Sequence, residues 1–305
     1  MIRNFAQTLE AARRQPPQIV AVASPEEEDT LRGLEEARLL GLIQPHLFGD
    51  IAQLSCLAEK IGLDLTNFTI HEATSNEQAA FAAVSFCREG QAEVLVKGFL
   101  PTPIFLRAVL HKERGIAAGG FLSHVAIFQL PALERLLFIT DGGMVVLPAL
   151  TQKLAILQHA VEVAKAMENA NPKVAVIASV ETVSAEIPAT VDAAILTTMW
   201  RRKQIKGCIV DGPLALDNAL SREALAEKGI DSPLGGEADI LLMPNIESGN
   251  VLGKSIVHLA SGVMAGVVMG AKVPIVLVSR VDPPESKIYS LAVSALLAAR
   301  GKIRR

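Results

Sequence analysis

The stretch from Ala238 to Lys287 constrains the fold most. It contains three short apolar runs, Ile240 to Met243, Ala265 to Met269 and Pro274 to Val278, each bounded by Gly, Pro or a charge. Runs this short, rich in Val, Ile, Leu or Met, read as buried strands of a parallel sheet. Two of them lead straight into polar groups. Pro244-Asn245-Ile246-Glu247-Ser248-Gly249-Asn250 follows the first, and Ser279-Arg280-Val281-Asp282 follows the last. Ligands of open α/β sheets bind at the carboxyl ends of strands, so chemistry is expected at these two tips.

The same pattern runs through the rest of the chain. Ile19 to Ala23, Ile43 to Gly49, Phe68 to His71 and Val94 to Val96 read as strands. Helical patterns alternate with them, over 26–40, 51–61 and 76–89. Phe121 to Phe128 and Leu136 to Ile139 follow, and then a helix from Gln152 to Met167 with Leu154, Leu157, Val161 and Ala164 on one face. After Asn171-Pro172, Val174 to Val180 and Ile205 to Val210 begin a second series. Alternation this regular predicts doubly wound α/β architecture. The 305 residues suffice for two domains of about 150 residues. Half the residues are hydrophobic and only 4% aromatic, so the core is expected to be built from Ala, Val, Leu and Ile. The acidic run Glu26-Glu27-Glu28-Asp29 reads as a solvated helix start, where carboxylates suit the positive end.

Several function classes lose ground at this level. The net charge of −3, without a long block of one sign, argues against nucleic-acid and membrane-surface binding. The longest apolar region, Ser261 to Ser279, is broken by Lys272 and Pro274 and reads as two strands rather than a membrane span. Cys56, Cys87 and Cys208 are widely spaced and show no CxxC or Cys/His ligand spacing. Neither a disulfide framework nor a metal site is expected, and a reducing cytoplasm is. The N-terminal residues show no signal-peptide pattern. No Rossmann or P-loop fingerprint is present.

Five segments in order carry a specific resemblance. They are Val174 to Glu181 (VAVIASVE), Asp211 to Asp217 (DGPLALD), Ala238 to Asn245 (ADILLMPN), Ser248-Gly249-Asn250, and Ser279-Arg280. Together they resemble the phosphate acetyl- and butyryltransferase family, over roughly residues 93–298. Leu122-Ser123-His124-Val125 and Ser279-Arg280-Val281-Asp282 look more like the butyryltransferase subgroup. The resemblance implies two α/β domains with a cleft between them, related to isocitrate and isopropylmalate dehydrogenases. Domain one would be 1–147 completed by 273–305, and domain two 148–272. It implies reversible acyl transfer between coenzyme A and inorganic phosphate, with acyl-CoA as substrate and no tightly bound cofactor or metal. It also implies a homodimer or higher homo-oligomer.

Site residues follow from that resemblance and from what each residue type can do. Arg280, directly after a strand, can hold phosphate in a fork, although a surface ion pair is its ordinary alternative. Ser279 can donate to the carbonyl or to phosphate. The acetyltransferase pattern places an aspartate six residues after the arginine, where this chain has Ser286. The butyryltransferase pattern has one two residues after it, here Asp282, and Glu285 is a second candidate base. Both carboxylates also suit a helix entry. Ser248-Gly249-Asn250 reads as a turn between strand and helix whose amides hold an anion, with Lys254 one turn inside the helix. Asn245 and Glu247 share that loop. Lys97-Gly98 and Ser123-His124 would face the cleft from the first domain. The remaining histidines read as structural or surface groups. Two other functions stay open at this point: a metal- and NAD-dependent hydroxy-acid dehydrogenase of the related fold, and a coenzyme A-binding protein without activity.

Overall fold

The computed structural model describes residues 1–119, 121–277 and 283–303. In chain order the first elements are α1 (Phe5–Arg13), β1 (Gln18–Ala23), α2 (Glu28–Leu39), β2 (Ile43–Gly49), α3 (Ile51–Ile61), β3 (Thr69–Glu72), α4 (Asn76–Arg88), β4 (Val94–Lys97) and α5 (Thr102–Val109). Then come β5 (Ser123–Gln129), β6 (Leu137–Thr140), α6 (Leu150–Ala166), β7 (Lys173–Ile177), α7 (Pro188–Arg201) and β8 (Ile209–Leu214). They are followed by α8 (Leu216–Leu220), α9 (Arg222–Glu227), β9 (Ile240–Leu242) and α10 (Ile246–Leu259). β10 (Val263–Met269), β11 (Ile275–Val276) and α11 (Pro284–Ile303) close the chain. No helix among the described residues is long and apolar enough to cross a membrane.

The chain forms two compact units. The terminal unit comprises 6–122 and 265–305, and the central unit 1–5 and 123–264. In the terminal unit the strand order is β3-β2-β1-β4-β11-β10, parallel except for β10, which runs antiparallel to β11. β1 (QIVAVA) is buried along almost its whole length, because helices cover a parallel sheet and both faces must then be apolar. The chain winds from β1 outward through β2 to β3 and then returns to the other side of β1 as β4. The β1/β4 junction is therefore a topological switch point, where loops diverge and leave a crevice at the carboxyl ends. Its helices have local punctuation. Asp50 accepts from Gln53 N to cap α3, which Gly62 ends at φ +69°, and Ser75 caps α4 by accepting from Gln78 N.

In the central unit the order is β5-β6-β9-β7-β8, parallel except for β5. Its core includes Phe128, Leu137, Ile139, Ala175 and Leu241. Burying each larger aliphatic side chain contributes about 1.5–3 kcal/mol.

Three expectations differ from this arrangement. The units divide at 122/123 and 264/265 rather than at 147/148 and 272/273. The reason is strand pairing: β5 forms a hairpin with β6, and β6 pairs with β9, so 123–147 belongs to the central sheet. The strand expected at Ile205 to Val210 begins at Ile209 and runs on through Asp211-Gly212-Pro213. Ile205 is buried in the exit from α7, its amide bonded to Met199 O, and its apolar character reflects that packing. The acidic run after β1 is also not a plain solvated start. Glu26 accepts from the Asp50 amide at 2.7 Å, and Glu27 accepts from Thr30 Oγ1 at 2.6 Å.

Candidate active site

At the terminal unit's switch point, β1 ends in Ser24-Pro25 and β4 in Lys97-Gly98. The Gly98 amide donates to Ala23 O at 2.9 Å. A Cβ at Gly98 would collide with the Ser24 carbonyl, so only glycine lets these two strand ends run so close. Lys97 Nζ donates to Gly98 O at 3.1 Å. Lys287 on α11 reaches Glu27 at 3.6 Å. A cavity of about 30 Å³ lies here, bounded by Val96, Lys97, Val276, Leu34 and Leu291 among others. The expected catalytic trio Ser279, Arg280 and Asp282 lies outside the described residues. Glu285 stands exposed in the first turn of α11. Ser286, at the position of the missing aspartate, is 1% exposed, and its Oγ has no hydrogen-bond partner among the described residues.

The central unit's edge is organised by Asp141, directly after β6. Its carboxylate is 2% exposed and accepts three backbone amides: His124 N at 2.9 Å, Gly143 N at 2.7 Å and Met144 N at 2.8 Å. A carboxylate buried on three amides is satisfied in place, and it fixes the start of β5 against the loop after β6. Ser123 Oγ shares a hydrogen bond with His159 Nδ1 at 2.7 Å. Burial pushes the His159 imidazole below its ordinary value, and the nearby Glu162 and Asp141 charges oppose that shift. The His124 ring packs over Gly143, where a Cβ would stand 3.2 Å from it. Gly142 and Gly249 approach so closely that a Cβ on either would lie 2.8 Å from the other's backbone. Asn250 Nδ2 donates to Gly142 O at 3.1 Å.

Beyond β7 and β8, Lys228 gathers two of the sequence segments singled out above. Its Nζ donates to Glu181 at 2.5 Å and to Asn218 at 3.1 Å, and pairs with Asp217 at 3.0 Å. The hydrogen bond from Lys228 holds Glu181 below the usual carboxylate range.

The structure re-sorts the expected residues. Ser248-Gly249-Asn250 does not form a turn before the helix. α10 already starts at Ile246, and Asn245 caps it by accepting from Ser248 N at 2.9 Å. Lys254 therefore sits two turns in and is exposed, as is Glu247. Lys97 and Gly98 belong to the terminal unit, whereas Ser123 and His124 open the central one. Asp141 and Lys228 were not singled out, and His159 was read only as a structural or surface group. Asp141 had a faint signal, a strand end followed by two glycines. Ser123, the partner of His159, and Glu181, one of the partners of Lys228, lie 36 and 47 residues away in sequence, which no local pattern reports.

The profile of the Phosphate acetyl/butaryl transferase family matches residues 72–295. The phosphate butyryltransferase of Clostridium acetobutylicum is 41% identical over 298 residues, 98% of this chain and 99% of that protein. The phosphate acetyltransferase of Rhizobium meliloti is 40% identical over 297 residues, 97% of this chain and 94% of that protein. Among solved structures, a branched-chain phosphotransacylase from Enterococcus faecalis superposes with a TM-score of 0.80 at 30% identity, covering 92% of this chain and 99% of that one. Similarity of this extent in sequence and in fold shows that the chain belongs to the phosphate acetyl/butyryltransferase family.

Proposed function

We infer that the chain transfers a short acyl group reversibly between coenzyme A and inorganic phosphate: acyl-CoA and phosphate give acyl phosphate and free coenzyme A. The observation that carries this reading is identity at the 41% level with a phosphate butyryltransferase over essentially the whole length of both chains. The dehydrogenase and the inactive coenzyme-binding alternatives find no support among these relatives.

In the forward direction a phosphate oxygen attacks the thioester carbonyl carbon. A C–O bond forms, the tetrahedral oxyanion collapses, and the C–S bond breaks. The leaving thiolate takes a proton, and the reverse direction needs the thiol deprotonated. Arg280 grips the phosphate and neutralises charge as it builds. Ser279 donates to the carbonyl or phosphate oxygen. Asp282 exchanges the proton with the thiol, and Glu285, on the exposed first turn of α11, is the second carboxylate within the same stretch. Lys97, Gly98, Ser123 and His124 contribute to substrate binding at their strand ends. The α10 start from Asn245 through Asn250, with Glu247, Ser248, Gly249 and Lys254, adds a helix terminus suited to an anion.

The two units are read here as two doubly wound domains, a reading supported by the β3-β2-β1-β4 order of the terminal unit. A homodimer or higher homo-oligomer belongs to the same reading. Butyryl or a similarly short branched acyl group is the favoured substrate, supported by the family subgroup of the Ser279-Arg280-Val281-Asp282 segment and by the branched-chain relative. The test is release of free thiol from acetyl-, butyryl- and isobutyryl-CoA with and without millimolar phosphate. Phosphate-dependent release, faster with the four-carbon groups, is expected. No release from any of them overturns the activity.

A further inference from the structure

We propose that the cavity between the terminal sheet and helices α2 and α11 is the binding slot for the alkyl tail of the acyl group, and that Gly33 sets its length. This rests on the acyltransferase reading above and adds to it a place for the part of the substrate that distinguishes one acyl-CoA from another.

The cavity has the right position. It opens beside Lys97 and Gly98 at the β1/β4 switch point, where the fold leaves room at the carboxyl ends of its strands. Val276 in its wall stands three residues before Ser279, a chain distance of at most about 11 Å.

The cavity also has the right chemistry. Leu34, Val96, Val276 and Leu291 give it carbon walls. Glu27, Lys97 and Lys287 also line it, and they are engaged with their neighbours: Glu27 with Thr30 Oγ1 and Lys287, and Lys97 with the Gly98 carbonyl. Its volume of about 30 Å³ corresponds to two water-sized groups at roughly 10–15 Å³ each, which is the end of a short chain rather than a long one.

Gly33 is the sharpest clue. A glycine inside a helix destabilises it relative to alanine, yet α2 carries one where it lines the cavity. A Cβ added there would stand 3.8 Å from Lys287 Cβ and Cδ, in ordinary contact, so an alanine fits and fills the methyl-sized gap between α2 and Lys287. Absence of the side chain leaves room that a ligand can use.

The experiment is kcat/KM for acetyl-, propionyl-, butyryl-, isobutyryl- and hexanoyl-CoA at saturating phosphate, in the wild type, in Gly33→Ala, which shortens the slot, and in Leu291→Ala, which widens it. In Gly33→Ala the butyryl-to-acetyl ratio is expected to fall about tenfold, the scale on which one methylene is discriminated. In Leu291→Ala the preference is expected to move towards hexanoyl-CoA. Thermal unfolding verifies that each variant is folded. Should Leu291→Ala not fold, Gly33→Ala carries the test alone, since alanine favours the helix. A folded Gly33→Ala whose ratio stays within about twofold of wild type overturns the slot while leaving the activity intact. A wild type that releases no thiol from any acyl-CoA overturns the activity itself, and the slot with it.

Discussion

Single residues decide how closely the strand ends approach one another. Gly98 and the Gly142–Gly249 pair are positions where a Cβ would strike backbone rather than a flexible side chain. Backbone cannot swing aside, so the cost falls on the fold. Gly98→Ala is expected to destabilise the terminal unit by about 1–3 kcal/mol, read as a lower urea midpoint; an unchanged midpoint would show that the β1 and β4 ends part freely. Gly98 was legible as a strand-end glycine because it serves local geometry. Asp141 and His159 were not, because their roles exist only once β5, β6 and α6 are assembled.

At the scale of elements, periodicity and punctuation carried most of the information. β1, β2, β4 and β9 lie where short apolar runs place them. The error at α10 was one of boundary: a Gly within Ser248-Gly249-Asn250 suggested a loop, while Asn245 had already started the helix. Gly249 is tolerated there because it sits against the Gly142 backbone, where a larger residue cannot. The Asn245 cap makes a direct prediction. Asn245→Ala is expected to cost about 1 kcal/mol, together with fraying of the first turn of α10, seen as faster amide exchange at Ser248 and Gly249. Exchange rates equal to wild type would mean that the turn is held by the tertiary contact with Gly142 alone.

At the scale of the whole molecule, acidification acts on both units through half-buried imidazoles. Burial lowers His46 and His71 in the terminal unit, with the charge of His71 adding to the shift on His46, and burial lowers His159 in the central unit. His46 Nδ1 and His71 Nε2 stand 3.0 Å apart and share one hydrogen bond, which two protonated rings cannot make. A group whose folded value is depressed binds fewer protons folded than unfolded. Its contribution to stability is intact above the ordinary imidazole value near 6.5 and is lost as pH falls below it towards the folded value. The carboxylates held low, such as Glu181 and Glu237, release their contribution only in more acidic solution. The thermal midpoint is therefore expected to be lower at pH 5.5 than at pH 7.5, and a midpoint that rises on acidification contradicts this. The sequence by itself determined the α/β class and the family, because apolar period, turn residues and ordered motifs are all written within a few residues of one another. Only the tertiary structure decided which strand ends share a unit, where the chain divides, and that Asp141, His159 and Lys228 tie down His124, Ser123 and Glu181 respectively. Those facts depend on strand pairing and on hydrogen bonds that reach 17, 36 and 47 residues along the chain, whose energy depends on distance in space and not on distance along the chain.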